Sequence, residues 1–287
     1  MLYRQTAVMG IGQIGASFAL AGKRAGMIGH VVGVARSQRT RDAALRLGAA
    51  DACTEDPSAA VWEAELVYLA VPVQAMRQVM CDIAPNLSAG CLVTDAGSTK
   101  AQVCDWAAEL LPDTVAFIGG HPMAGTEKHG PGSASADMFA GTTYLLCQGT
   151  ASEPVLERFR ELVVAIRARP LLVDPHRHDE VLAFSSHLPH LCAAALSVAI
   201  GRSRTEDLLA FAAGGLRDTT RIASASVEMW RGIFATNAGN VLPAAGMLRD
   251  ALDEFIAAIE AEDWERVASL LAQGKDFRDG LYGLPEE

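Results

Sequence analysis

None of the six cysteines, Cys53, Cys81, Cys91, Cys104, Cys147 and Cys192, shares a Cys-x-x-Cys pair with another. That spacing excludes a zinc ribbon or a thioredoxin-type site and reads as reduced thiols of a cytoplasmic protein. A long basic run is also missing. Lys+Arg numbers 24 against 34 for Asp+Glu, a formal net charge of −10. An acidic chain of this kind is a poor nucleic-acid or anionic-membrane binder, so an anionic ligand must be met by local cations. Beyond Lys128 the only lysine is Lys275. The start, Met1-Leu2-Tyr3-Arg4-Gln5-Thr6, leads straight into a strand-like run, without the layout of a signal peptide. The longest apolar stretch, 181–200, is interrupted by His187, Pro189 and His190. Its unbroken part falls short of the ~20 residues a bilayer needs, and no membrane span is expected. There is no repeat, low-complexity tract or long linker.

What is present is an ordinary globular composition: 287 residues, 50% hydrophobic and 20% charged. Such a chain can bury a large core, and its length suggests two domains. The first part alternates short apolar runs (6–9, 31–34, 66–70, 91–94, 115–118, 143–146, 171–173) with helical patterns (16–25, 40–47, 75–83, 100–110, 154–168). This predicts parallel βαβ units whose strands are buried on both faces. From Arg177 on, only helical patterns follow (179–183, 188–201, 206–212, 226–236, 238–260, 263–271). The expected layout is a Rossmann-type doubly wound parallel sheet over 1–175 and a helical domain over 176–287, sharing a cleft.

The first strand runs into Gly10-Ile11-Gly12-Gln13-Ile14-Gly15. In a strand–turn–helix setting this spacing binds a dinucleotide: Gly10 allows the tight turn, Gly12 admits the pyrophosphate and Gly15 lets helix and strand pack closely. Gln13 and Ile14 within the turn, and Val71 and Pro72 after the third candidate strand, complete the expected cofactor contacts. At the end of the second strand, where NAD-binding domains place Asp or Glu, stands Ala35-Arg36-Ser37-Gln38-Arg39. Arg36, Ser37 and Arg39 suit a 2′-phosphate, which favours NADP, with NAD as the alternative.

Four polar islands carry candidate chemistry. Asp95-Ala96-Gly97-Ser98-Thr99-Lys100 follows a strand at the sheet edge where ligands bind; Ser98 reads as a site residue or a helix cap. In Gly120-His121-Pro122-Met123-Ala124-Gly125-Thr126-Glu127, His121 reads equally as a proton acceptor and as a core histidine bonded to backbone. Ser186-His187-Leu188-Pro189-His190 opens a helix; a cap by Ser186 or His187 competes with a ligand role, and no third ligand supports a metal. Gly214-Gly215-Leu216-Arg217-Asp218-Thr219-Thr220-Arg221 holds two arginines suited to carboxylates, with an Arg217–Asp218 structural pair as the plainer reading of Arg217.

Together the islands resemble the prephenate/arogenate dehydrogenase family of tyrosine biosynthesis, in the family's order and over nearly the whole chain. The resemblance implies oxidative decarboxylation of prephenate, or of L-arogenate, with hydride transfer to a nicotinamide cofactor. It implies that His121 takes the proton of the ring C4 hydroxyl, that Ser98 bonds the same hydroxyl, and that Arg221 holds the ring carboxylate. His190 with Ser186 would meet the side-chain end of the substrate, beside His187, and Thr126 would line the pocket. It also implies a homodimer through the helical half, where 238–260 is broadly apolar. Ala35 departs from the Asp common in the family's NAD-using members. Imine or 3-hydroxyacid reductases share the layout but lack these islands, and the latter want a lysine in the helical domain. A dinucleotide-sensing protein without turnover is the rival of another class.

Overall fold

The computed structural model describes residues 1–125, 130–203, 205 and 207–283. Eight strands form one sheet: β1 Tyr3–Met9, β2 Ile28–Val34, β3 Ala52–Thr54, β4 Leu66–Leu69, β5 Leu92–Asp95, β6 Ala116–Pro122, β7 Thr143–Cys147 and β8 Arg169–Leu172. Their order is β3-β2-β1-β4-β5-β6-β7-β8. The helices between them are α1 Gln13–Arg24, α2 Gln38–Arg46, α3 Pro57–Ala60, α4 Val73–Ile83, α5 Ala101–Leu110 and α6 Glu153–Ala165. Alternate residues of each central strand feed two separate cores. Val8 and Tyr68 join Phe18, Phe159 and Leu162 on one face; Ala7, Met9, Val67 and Leu69 join Met76, Met80 and Val103 on the other. Burying each of the larger side chains contributes about 1.5–3 kcal/mol, and a helix layer on both faces is what makes the strands apolar throughout.

Three features differ from the sequence expectation. β3 is an additional strand, too short at three residues to leave a periodic signal. β7 lies antiparallel to β6, so the sheet is not wholly parallel. β6 also runs on through Gly119 and Gly120 to Pro122, past the expected end at 118. The glycines there mark close packing rather than a turn: a Cβ on Gly120 would sit 2.4 Å from the Asp95 carbonyl oxygen. His121 is therefore a strand residue paired with Leu145.

Beyond the sheet come α7 Pro175–Leu182, a π-helical turn Ala183–His187, α8 Leu188–Arg202, α9 Leu208–Phe211, α10 Gly214–Thr220, a 3-10 turn Arg221–Ser224 and α11 Val227–Thr236. Pro175–Arg202 forms a continuous 28-residue helical run, long and apolar enough by composition to span a bilayer. It nevertheless carries buried His178, Asp179, His187 and His190. By packing, the chain divides into Met1–Ala238 and Gly239–Glu287. The first unit keeps α7 against α5 and α11 against α4. The second consists of α12 Ala238–Glu260 and α13 Trp264–Tyr282. Its helices leave Leu242, Met247, Leu252, Ile256, Ile259, Leu271 and Phe277 exposed.

Candidate active site

β1 ends in a glycine turn built for close approach. Gly10 has φ +90°, and a Cβ there would lie 2.5 Å from the Ala70 carbonyl oxygen. A Cβ on Gly15 would lie 2.3 Å from the Gly10 oxygen, whereas Gly12 faces open space. α1 begins after Gly12 with no side-chain cap, so its first turn of amides points into that space. The cradle fits a dinucleotide pyrophosphate. Gln13 is buried, its Nε2 donating to Ser133 O at 3.4 Å.

A cleft of about 310 Å³ adjoins this turn, with Ile14, Val71, Pro72, Ser98 and His121 in its lining and Ser226, Met229 and Ile233 as its helical wall. Larger hollows, up to about 680 Å³, open elsewhere and contain neither a histidine nor the glycine turn.

His121 is buried at the end of β6. Its Nδ1 lies 2.9 Å from His178 Nε2, and His178 Nδ1 lies 2.8 Å from Asp179 Oδ1. Asp179 also accepts the backbone N–H of Lys100 at 2.7 Å and of Ala101 at 3.0 Å. A carboxylate with these donors is an acceptor, so His178 places its Nδ1 proton toward it. In that tautomer His178 Nε2 accepts from His121 Nδ1–H, leaving His121 Nε2 as a lone-pair acceptor. Burial, then the proximity of His178, Lys100 and His187, holds the His121 imidazolium well below the usual histidine range. Behind it, fully buried Lys100 pairs with Asp95 and donates to Gly120 O at 2.8 Å, while Asp95 accepts Gly120 N–H at 2.9 Å. Both backbone groups of the residue before His121 are thus clamped.

Neither His178 nor Asp179 stood out in the sequence, because Arg177-His178-Asp179-Glu180 reads as a solvated charged run. The adjacent acid–base pair after the Asp174 cap was the available signal.

The capping expectations are corrected, and the other candidates are placed as follows. Ser98 is half-buried and lines the cleft but does not cap α5; Lys100 occupies the cap position, and Asp179 takes the first amides from outside the helix. Neither Ser186 nor His187 caps α8. Ser186, His187, His190 and Arg221 are not in the cleft lining. His187 is buried, its Nδ1 accepting from Asn237 Nδ2 at 3.0 Å, and burial lowers its pKa to about 4. His190 is buried and stacks on Trp230 at 3.6 Å and 7°. Arg221 is exposed at the 3-10 turn after α10. Arg217 is exposed too, and among the described residues it forms no ion pair with Asp218. Thr126 lies outside the described residues. Arg36, Ser37 and Arg39 are exposed after β2. Among the described residues no cluster of three His, Cys, Asp or Glu side chains is placed to hold a metal.

The strand order, the glycine cradle and the buried histidine define a dinucleotide-binding protein with an acid–base site at the carboxyl edge of its sheet. Family models agree: the nucleotide-binding domain of prephenate dehydrogenase matches residues 18–172 and its dimerization domain matches 174–273. The chain belongs to the prephenate dehydrogenase family. It is 36% identical to prephenate dehydrogenase of Bacillus subtilis over 276 residues, covering 95% of this chain and 74% of the relative. The crystal structure of prephenate dehydrogenase from Aquifex aeolicus, in complex with hydroxyphenyl propionate and NAD+, superposes with a TM-score of 0.89 at 28% identity, over 97% of this chain and 98% of that one. Arogenate dehydrogenase of Synechocystis gives 0.80 at 30% identity, over 96% and 99%.

Proposed function

We propose that the protein oxidatively decarboxylates prephenate, or L-arogenate, and passes hydride to a nicotinamide cofactor, with NADP preferred. The observation that carries this reading is the Asp179–His178–His121 relay ending in a free Nε2 beside a dinucleotide cradle. Gly10, Gly12, Gly15 and the start of α1 would hold the pyrophosphate, and Ile14, Val71 and Pro72 would meet the remainder of the cofactor. The bound nicotinamide supplies the hydride acceptor. His121 Nε2 accepts the proton of the C4 hydroxyl as hydride leaves C4 and CO2 leaves C1, then returns it to the phenol oxygen of the aromatised product. Ser98, in the same lining, holds that hydroxyl in line. General-base action of this kind is worth ~10²–10⁴-fold, and positioning adds to it. Arg221, whose guanidinium has no ion-pair partner among the described residues, is the cation for the ring carboxylate. The family resemblance assigns His190 with Ser186, beside His187, to the side-chain end of the substrate and Thr126 to the pocket.

Arg36, Ser37 and Arg39 support NADP, because a 2′-phosphate has charge-assisted donors there and no carboxylate at Ala35 opposes it. The exposed apolar side chains of α12 and α13 support a homodimer through the helical half. The deciding experiment follows cofactor reduction with prephenate and L-arogenate, each against NADP and NAD. Turnover with prephenate and a higher kcat/KM for NADP is expected. No turnover with either substrate overturns the assignment, and a higher kcat/KM for NAD overturns the cofactor preference.

A further inference from the structure

The turn after β2 has a second layer. Arg41, on the first turns of α2, points back rather than outward: its side chain is only 13% exposed. Its Nη1 donates to Ala35 O at 2.7 Å and to Arg36 O at 3.0 Å, and its Nη2 donates to Gln38 Oε1 at 2.6 Å. Gln38 in turn donates to Asp42 Oδ1 at 2.6 Å. From the end of β3, Thr54 O accepts Ala35 N–H at 3.2 Å, and Glu55 Oε2 lies 3.4 Å from Arg41 Nη1. One guanidinium thus closes the turn on two carbonyls and faces a carboxylate. Arg36, Ser37 and Arg39 make no side-chain hydrogen bond or ion pair among the described residues, and Ser37, at the cap position of α2, bonds no helix amide.

We infer that Arg41 and Glu55 set the cofactor preference of this turn: Arg41 is a positioning residue that fixes the backbone carrying Arg36 and Ser37, and Glu55 is an opposing charge that weakens the grip on a phosphate monoester at the adenosine 2′-oxygen. The inference rests on the NADP reading above. Its physical content is a division of labour among three arginines. A planar fork already satisfied by two carbonyls and a side-chain amide cannot also turn to a ligand phosphate. It does fix the backbone that carries Arg36 and Ser37, which lowers the entropy lost when a phosphate is bound. Glu55 faces Arg41 at 3.4 Å and Asp42 accepts from Gln38 on the same turn, so two carboxylates offset its cations and removing one is felt.

The test is calorimetric titration of the full-length protein with 2′,5′-ADP and with 5′-AMP, which need no turnover. The parent is expected to bind 2′,5′-ADP about tenfold or more tightly than 5′-AMP, the size of one or two charge-assisted bonds. Equal affinities sink the NADP reading itself, whatever Arg41 does. Given discrimination, Arg41→Gln is expected to weaken 2′,5′-ADP by about tenfold while 5′-AMP stays within about twofold. Equal weakening of both ligands reduces Arg41 to a general structural role and overturns the inference. Glu55→Gln is expected to tighten 2′,5′-ADP by about two- to fivefold at low salt, an effect that fades at high salt; no tightening removes Glu55 from the scheme. The double variant Arg41→Gln with Glu55→Gln separates position from charge. If it binds 2′,5′-ADP several-fold more weakly than Glu55→Gln alone, the buttress stands; if the two are equal, Arg41 acts only as a counter-charge and the positioning claim falls.

Discussion

The end of β6 and the end of β2 are the two chemical ends of this sheet, and they are built on opposite plans. At β6, His121 is buried, hydrogen-bonded to His178 and backed by a clamped Gly120. At β2, Arg36 and Arg39 stand in solvent, their guanidiniums unengaged among the described residues. A group that must accept a proton gains from being fixed and kept neutral before the substrate arrives, so folding itself sets its tautomer. A group that must grip an anion gains from staying hydrated until the anion displaces the water, because a buried unpaired cation is costly. Arg221, proposed above to meet a carboxylate, is likewise exposed on its 3-10 turn.

This contrast can be broken at its buried end first. His121→Asn removes the basic ring nitrogen, and kcat is expected to fall by roughly 10²-fold or more while nucleotide affinity stays near normal. Steady-state kinetics with a parallel nucleotide titration reads both. A folded variant with unchanged kcat would leave His121 as a core histidine only.

One step back along the relay, the effect should be smaller. His178→Phe keeps an aromatic of similar volume but cannot accept from His121 Nδ1–H, so the imidazole loses its set tautomer. A drop in kcat of about 10-fold to 10²-fold is expected, less than the base itself supplies. His178→Gln, which can both accept from His121 and donate toward Asp179, should recover part of it. Equal kcat in the Phe and Gln variants would show that the relay has no part in turnover.

The exposed plan predicts a different split. Arg221→Ala should raise KM for the substrate by about tenfold, the weight of one charge-assisted bond to a carboxylate, with kcat changed little. Cofactor affinity should stay intact. A normal KM would move the carboxylate contact elsewhere, Arg217 being the nearest alternative on the same segment.

How much of this was legible beforehand follows the same division. Gly10-Ile11-Gly12-Gln13-Ile14-Gly15 and the run of apolar strands announced the sheet and the cradle, because turn geometry and burial leave local traces in a sequence. The position of His121 beside a glycine pair was also readable. What it bonds to was not: His178 lies 57 residues on and reaches His121 only through the packing of α7 on α5. Arg41 was hidden for a similar reason, since an arginine on a charged helix reads as solvated until its two carbonyl partners are seen. Ser98 as a cap failed because Asp179, from another helix, satisfies the amides that a local side chain would otherwise take. β3 failed because three residues carry no period.

The smallest expected effect concerns acid. His187, with a folded pKa of about 4, and His121, held well below the usual value, are both neutral when buried. In the unfolded chain each titrates near an ordinary ~6.5. Below that pH the unfolded state binds more protons than the folded one, so stability is lost as pH falls and the loss continues toward the folded pKa. Desolvation is the first cause in both, and the groups pressing on His121 are His178, Lys100 and His187. Between pH 7 and 5.5 each of the two should cost about 1 kcal/mol. Urea unfolding at the two pH values measures the loss, to which His190, also lowered by burial, adds in the same direction, and His187→Gln should remove about 1 kcal/mol of it. Asn237, which donates to both Asp179 O and His187 Nδ1, gives a glutamine there the same donor to meet, so the variant is expected to fold. Stability that rises on acidification through this window would mean that His187 and His121 are charged in the folded protein, and the buried neutral base at the end of β6 would go with it.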